Sequence, residues 1–152
     1  MRFYKRYKAS GGFLGGVWNS AALGRGFGLE LSAEKTNKLY DLYFLISNDG
    51  TNYETVTFTD VCTRENWLEV DGSWNAGTLN ITINGTEYTE TTTITSAFVP
   101  TTVGVSINGT WTGVYGQVGY LDYFRVGTEE YRANHGWGTK LEEVNSVTFA
   151  PG

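Results

Sequence analysis

Three short stretches of this 152-residue chain set flat aromatic rings beside amides and hydroxyls: Trp18-Asn19-Ser20, Trp74-Asn75, and the group Trp111, Tyr115 and Gln117. That combination suits sugars, because a ring stacks on the C–H face of a pyranose while amides and hydroxyls exchange hydrogen bonds with its hydroxyls. Each stretch lies among Gly, Asn and Ser, the residues of turns, which places these side chains in surface loops. The candidate carbohydrate-binding residues are therefore Trp18, Trp74, Asn75, Trp111, Tyr115 and Gln117. Trp67, by contrast, opens a strand pattern and is expected in the core.

Other chemistries find less to work with. Cys62 and His135 are the sole residues of their types, so no intrachain disulfide forms and no zinc spacing exists. Cys62 reads as a small buried hydrophobe rather than a nucleophile. A formal charge of -5 argues against nucleic acid, whose binders carry clustered basic excess. The one basic cluster, RFYKRYK with Arg2, Lys5, Arg6 and Lys8, reads as an edge strand whose charges discourage stray pairing. No run of about 18 apolar residues calls for membrane insertion, and the polar start lacks a signal-peptide core. Asn80, Asn84 and Asn108 open formal glycosylation sequons, two of which are turn Asn-Gly pairs, and all are expected to be unused.

The elements that must hold the candidate residues are strands. In FGLELS, Phe27, Leu29 and Leu31 alternate onto one face, and KLYDLYFLIS is an almost unbroken apolar run. Asn48-Asp49-Gly50 tolerates positive φ and leads into YETVTF, which predicts a hairpin. NWLEV, TLNITING, TEYTET, TTVGVSI and QVGYLDYFRV follow at short spacing. Within TLNITING, Leu79, Ile81 and Ile83 face one way and Thr78, Asn80 and Thr82 the other, and Asn84-Gly85 predicts a type I′ turn. Helical signals are confined to LSAEKTNK and EEYRANHG, each too short to build a layer. The cadence predicts an all-β, antiparallel, two-sheet sandwich over 1–135. Residues 136–152 form a C-terminal tail, either a final strand ending in VNSVTFAPG or an arm that docks on a neighbour.

From about Phe13 to Asn134 the order of these segments resembles the laminin-G-like branch of the concanavalin A-like lectin and glucanase superfamily, in the form carried by bacteriophage structural proteins. The resemblance lies in a Trp opening a strand, the hairpin TLNITINGTEY, Val103-Gly104, the closing strand GYLDYFRV, and the ending EEYRAN. It implies a jelly-roll sandwich on a virion surface, as a capsid decoration or tail domain, or else an extracellular or cell-surface location. Implied partners are a cell-surface glycan or polysaccharide and other virion proteins, with a homo-oligomer expected. A purely structural decoration protein is the alternative. The usual opening strands before RFYKRYK are absent, so either the chain is trimmed or a neighbouring subunit completes the sheet.

Glucanase relatives carry Glu-x-Asp-x-x-Glu, whose two glutamates serve as nucleophile and acid. Here Glu69 and Asp71 are followed by Trp74 where the second Glu would stand, with Glu65 and Glu87 as substitutes from elsewhere. The resemblance therefore implies sugar binding without catalysis. It also implies calcium near the rim, with Asp49, Asp60 and Asp71 as candidates. None has the oxygen-ligand spacing of a dedicated calcium loop, and turn roles are expected, so no cofactor is assigned.

Overall fold

The computed structural model describes residues 1–5, 11–19, 23–98 and 100, together with the backbone of strands at 106–107, 119–126, 129–131 and 139–140. Twelve strands follow in chain order: β1 (Arg2–Lys5), β2 (Gly12–Trp18), β3 (Arg25–Leu31), β4 (Leu39–Ile46), β5 (Glu54–Thr63), β6 (Trp67–Asn75), β7 (Thr78–Ile83), β8 (Thr86–Thr91), β9 (Ser106–Ile107), β10 (Gly119–Val126), β11 (Glu129–Tyr131) and β12 (Thr139–Lys140). No helix occurs among the described residues. The first sheet runs β11-β10-β1-β6-β7-β8 and the second β12-β9-β2-β3-β4-β5. Every pairing is antiparallel.

The inward residues of both sheets share one apolar core. Phe3, Leu68, Val70, Leu79 and Ile81 of the first sheet are clustered with Leu31, Tyr40, Leu42, Phe44 and Phe58 of the second. Two antiparallel sheets closed over a common core make a β-sandwich. The alternation in TLNITI appears as written in the sequence, with Leu79, Ile81 and Ile83 buried. Asn84 and Gly85 take φ of 50° and 82°, the type I′ geometry that a two-residue hairpin prefers. The Asn84 side chain also accepts from the Glu69 amide at 2.8 Å and donates to the Val61 carbonyl at 3.0 Å. It thus ties the β7–β8 turn to β5 of the opposite sheet.

Four expectations change. RFYK is a central strand, not an edge, because β1 pairs with β10 on one side and β6 on the other. Its alternation decides this, since Phe3 and Lys5 point inward and both are fully buried. Inside the core the Lys5 ammonium lies 5.1 Å from the Tyr40 ring centroid, and burial pulls its pKa down to about 8. With both flanks of β1 occupied, no position beside it is left for a neighbouring subunit to fill.

The weak helical signals also dissolve. Ser32 to Lys38 is a turn closed by Lys38 N–H to Lys35 at 3.1 Å and Lys35 N–H to Leu39 at 2.9 Å, and Glu129–Tyr131 is β11. The sequence patterns, finally, passed over β2. Its seven residues are all buried, so it lacks the alternation that marks a half-exposed strand. Gly16 is needed there, since a Cβ at that position would lie 2.3 Å from the Phe27 carbonyl oxygen.

Candidate functional site

Strand β6 runs without a bulge alongside β7, so its odd-numbered residues keep to one side. Trp67, Glu69, Asp71, Ser73 and Asn75 face outward while Leu68, Val70 and Trp74 face the core. Because pairing is regular through β7 and β8, outward residues line up in rows across three strands. Asp71, Thr82 and Glu87 form one row, and Ser73, Asn80 and Thr89 the next. Between the rows lies a furrow of about 300 Å³ floored by the strands at Gly72, Ile81 and Tyr88. Thr89 donates to the Asn80 side-chain oxygen at 2.9 Å, which orients that amide toward the furrow wall.

Along β6 from the furrow, an aromatic patch shares the same face. Trp67 is 40% exposed, enough to offer its ring to a ligand. Tyr4 meets it edge-on with centroids 5.3 Å apart, and the Arg2 guanidinium sits 4.2 Å over its ring while lying 3.1 Å from the Glu69 carboxylate. These contacts fix the indole's tilt, which limits the entropy lost when something stacks on it. Four residue steps along the strand separate Trp67 from Asp71, roughly 13 Å. The outer face therefore combines a platform for stacking with a row of carboxylates, amides and hydroxyls for hydrogen bonding.

The residues expected from sequence are distributed differently. Trp74 is not in a loop but inside β6, 9% exposed, with its indole N–H donating to the Thr92 hydroxyl at 2.9 Å. An even position on a regular strand must face inward when its odd neighbours face out. The same parity bears on the Glu-x-Asp-x-x-Glu pattern: a side chain at 74 lies on the opposite face from Glu69 and Asp71, while Ser73 and Glu87 share theirs. Asn75 is exposed at the end of β6, where Ala76 and Gly77, at φ of 46° and 91°, turn the chain into β7. Trp18 ends β2 rather than sitting in a loop and is 6% exposed, clustered with Phe13 and Leu45. Trp111, Tyr115 and Gln117 lie outside the described residues.

No family model, curated protein or solved structure matches this chain. The furrow and its aromatic platform must therefore speak through their own chemistry.

Several other reactive groups among the described residues are held in structural roles. Cys62 is buried in the core, burial pushes its thiol up to about 11, and its sulfur lies 3.6 Å from the Thr63 carbonyl. A thiol held protonated is a poor nucleophile. Tyr40 hydrogen-bonds Glu34, with Arg64 3.9 Å from the same carboxylate; burial first, and then that bond, raise the Tyr40 pKa. Asp49 accepts from the Asn52 side chain and from the Thr51 and Asn52 amides, each at 2.7 Å, which holds its carboxyl down to about 2. It is a turn aspartate. Asp60 lies 2.9 Å from the Lys35 ammonium. Among the described residues no group of His, Cys, Asp and Glu is arranged to hold a metal, and no helix is long and apolar enough to cross a membrane.

Trp67 and Glu87 are the residues of this face that sequence patterns placed otherwise, Trp67 in the core and Glu87 only as a substitute for a missing catalytic glutamate. Trp67 was legible in principle, because it shares parity with Glu69 and Asp71. Glu87 becomes part of the site only through the register that two tight turns impose.

Proposed function

We propose that this protein is a non-catalytic, lectin-like surface domain that holds a polysaccharide along the outer face of β6, β7 and β8. Trp67 stacks on one sugar ring, and Asp71, Ser73, Asn80, Thr82, Glu87 and Thr89 exchange hydrogen bonds with the hydroxyls of the next rings. The observation that carries this reading is the furrow itself: two rows of hydrogen-bonding side chains on one face with an exposed, pre-oriented indole about two sugar units away. A laminin-G-like jelly roll on a virion, as capsid decoration or tail domain, is the context that the segment resemblance supports. Extracellular or cell-surface placement serves the same chemistry.

The spacing of the acids disfavours retaining cleavage. Asp71 and Glu87 stand two strand spacings apart with Thr82 between them, roughly 10 Å from backbone to backbone. That leaves the row better suited to bridging hydroxyls than to the close carboxyl pair, about 5 Å apart, of a retaining hydrolase.

A glycan array followed by calorimetry on any hit tests the proposal. Trp67→Ala and the pair Asp71→Asn with Glu87→Gln are each expected to weaken binding by about tenfold or more. Binding that ignores all three substitutions but disappears in Trp111→Ala would move the site to Trp111, Tyr115 and Gln117. Release of reducing ends from laminarin, agarose or carrageenan would overturn the non-catalytic reading.

A further inference from the structure

On one side of the sandwich the two sheets end in β8 and β5, and the two edges are built in opposite ways. The β5 edge is interrupted: its register against β4 shifts between Tyr40 and Leu42, and Asp60 takes φ of 59° with its amide bonded to the Asp41 carboxylate at 2.8 Å. A bulge and the Lys35–Asp60 charge pair are the devices that keep an edge from pairing with strangers. The β8 edge has neither. Its six residues, TEYTET, pair with β7 without a shift, contain no Pro and no Lys, and are exposed except for Tyr88. The chain beyond it bends away toward the other sheet, where Thr93 donates to Glu54 through both its amide and its hydroxyl at 2.8 Å.

The direction of each amide follows from the turn and the strand end. A two-residue hairpin at Asn84-Gly85 makes Ile83 and Thr86 a hydrogen-bonded pair, and Thr92 N–H donates to the Gly77 carbonyl at 2.7 Å. Even-numbered amides of this segment therefore point to β7. Those of Glu87, Thr89 and Thr91 point away from the sheet, toward an edge that no strand among the described residues covers.

We propose that β8 pairs antiparallel with β8 of a second copy of this chain, about a two-fold axis at Thr89, joining two first sheets edge to edge. A two-fold normal to the sheet opposes residues symmetrically about its centre, so few registers are open. Centring on Glu87 or Glu90 sets carboxylate against carboxylate, which is unfavourable. Centring on Thr89 sets Glu87 against Thr91 and Tyr88 against Glu90, and it engages all three outward amides in about six new backbone hydrogen bonds. The row Ser73, Asn80, Thr89 then runs on into Thr89, Asn80 and Ser73 of the second copy. Each copy thereby lengthens the other's furrow wall, although the pairing itself needs no ligand.

Sedimentation velocity and light scattering across a range of protein concentrations test this directly, with a monomer–dimer equilibrium expected. Thr89→Pro removes one outward amide and no backbone bond to β7, losing on that side the hydroxyl bond to the Asn80 side chain, and it is expected to give a monomer with unchanged far-UV circular dichroism. Should that variant not fold, two others decide. Thr91→Lys places an ammonium opposite Glu87 at both ends and should tighten the dimer, while Thr91→Glu should weaken it, each by about tenfold. A wild-type protein monomeric at every concentration overturns the proposal, including one that stays monomeric but takes up an added synthetic strand. So does a dimer that responds alike to both Thr91 variants.

Discussion

The sandwich has two outer faces, and they treat the same residue types in opposite ways. On the first sheet Glu69, Asp71 and Glu87 stand exposed beside an accessible Trp67. On the second sheet Phe13, Trp18 and Leu45 are almost wholly buried with Tyr43 packed against them, and the Glu30 carboxyl, paired in register with Phe13 and Tyr43, has its pKa raised by burial. Gly28 shows how tight that second face is, since a Cβ there would fall 2.3 Å from the Phe13 ring. A packed aromatic face has spent its surface on stability, whereas the polar face keeps its groups available. Function is therefore expected on the first sheet and fragility on the second.

Substitution of one tryptophan on each face gives the largest contrast. Trp18→Ala should cost about 3–5 kcal/mol in denaturant unfolding, whereas Trp67→Ala should cost no more than about 1 kcal/mol and lose sugar binding. Equal costs would dissolve the distinction between the faces.

The interior offers a sharper titration. Lys5 has its folded pKa lowered to about 8 from 10.5, so its burial penalty is fully present below pH 8 and is relieved as pH rises above it. Cys62, whose folded pKa is raised to about 11, acts the other way from about pH 9 upward. Wild-type stability should therefore climb between pH 8 and 9, and Lys5→Met should flatten that climb. A slope that survives the substitution would assign it to another group.

Glu30→Gln comes next in size. Because the folded pKa of Glu30 lies above its ordinary value, its penalty is fully present at neutral pH and is lost as pH falls through that raised pKa. The variant should melt higher than wild type at pH 7 and converge with it in acid. The smallest effects belong to the furrow: Asp71→Asn and Glu87→Gln should each change stability by less than about 0.5 kcal/mol. Larger losses there would mean that the furrow carries structural weight.

Much of the fold was legible because strand alternation and turn chemistry are local. Leu79, Ile81, Ile83 and Asn84-Gly85 specify a hairpin with no knowledge of the rest of the chain. What could not be read was neighbourhood. RFYK has the charges of an edge strand, yet Phe3 is drawn inward between two partners far away in sequence, and Lys5 follows by parity. Trp67 and Trp74 exchanged their expected places for the same reason: loop-like neighbours suggested exposure for Trp74, but the parity of an unbroken strand overrides neighbour identity. β2 escaped notice because a strand covered on both faces has no alternation to detect.

The central position of β1 sets a constraint on how the molecule acquires its shape. Arg2 is registered with Tyr123 and with Glu69, so the first sheet is stitched by contacts between the earliest and some of the latest parts of the chain. Hairpins such as β6–β7–β8 close over a few residues and form quickly, whereas joining β1 to β10 must first gather a very long loop. During synthesis β1 meets β6 first, and its other flank stays open until β10 has been made. The final seal of the sandwich is thus a late and slow event, and conditions that hasten aggregation should act on the protein before that seal closes.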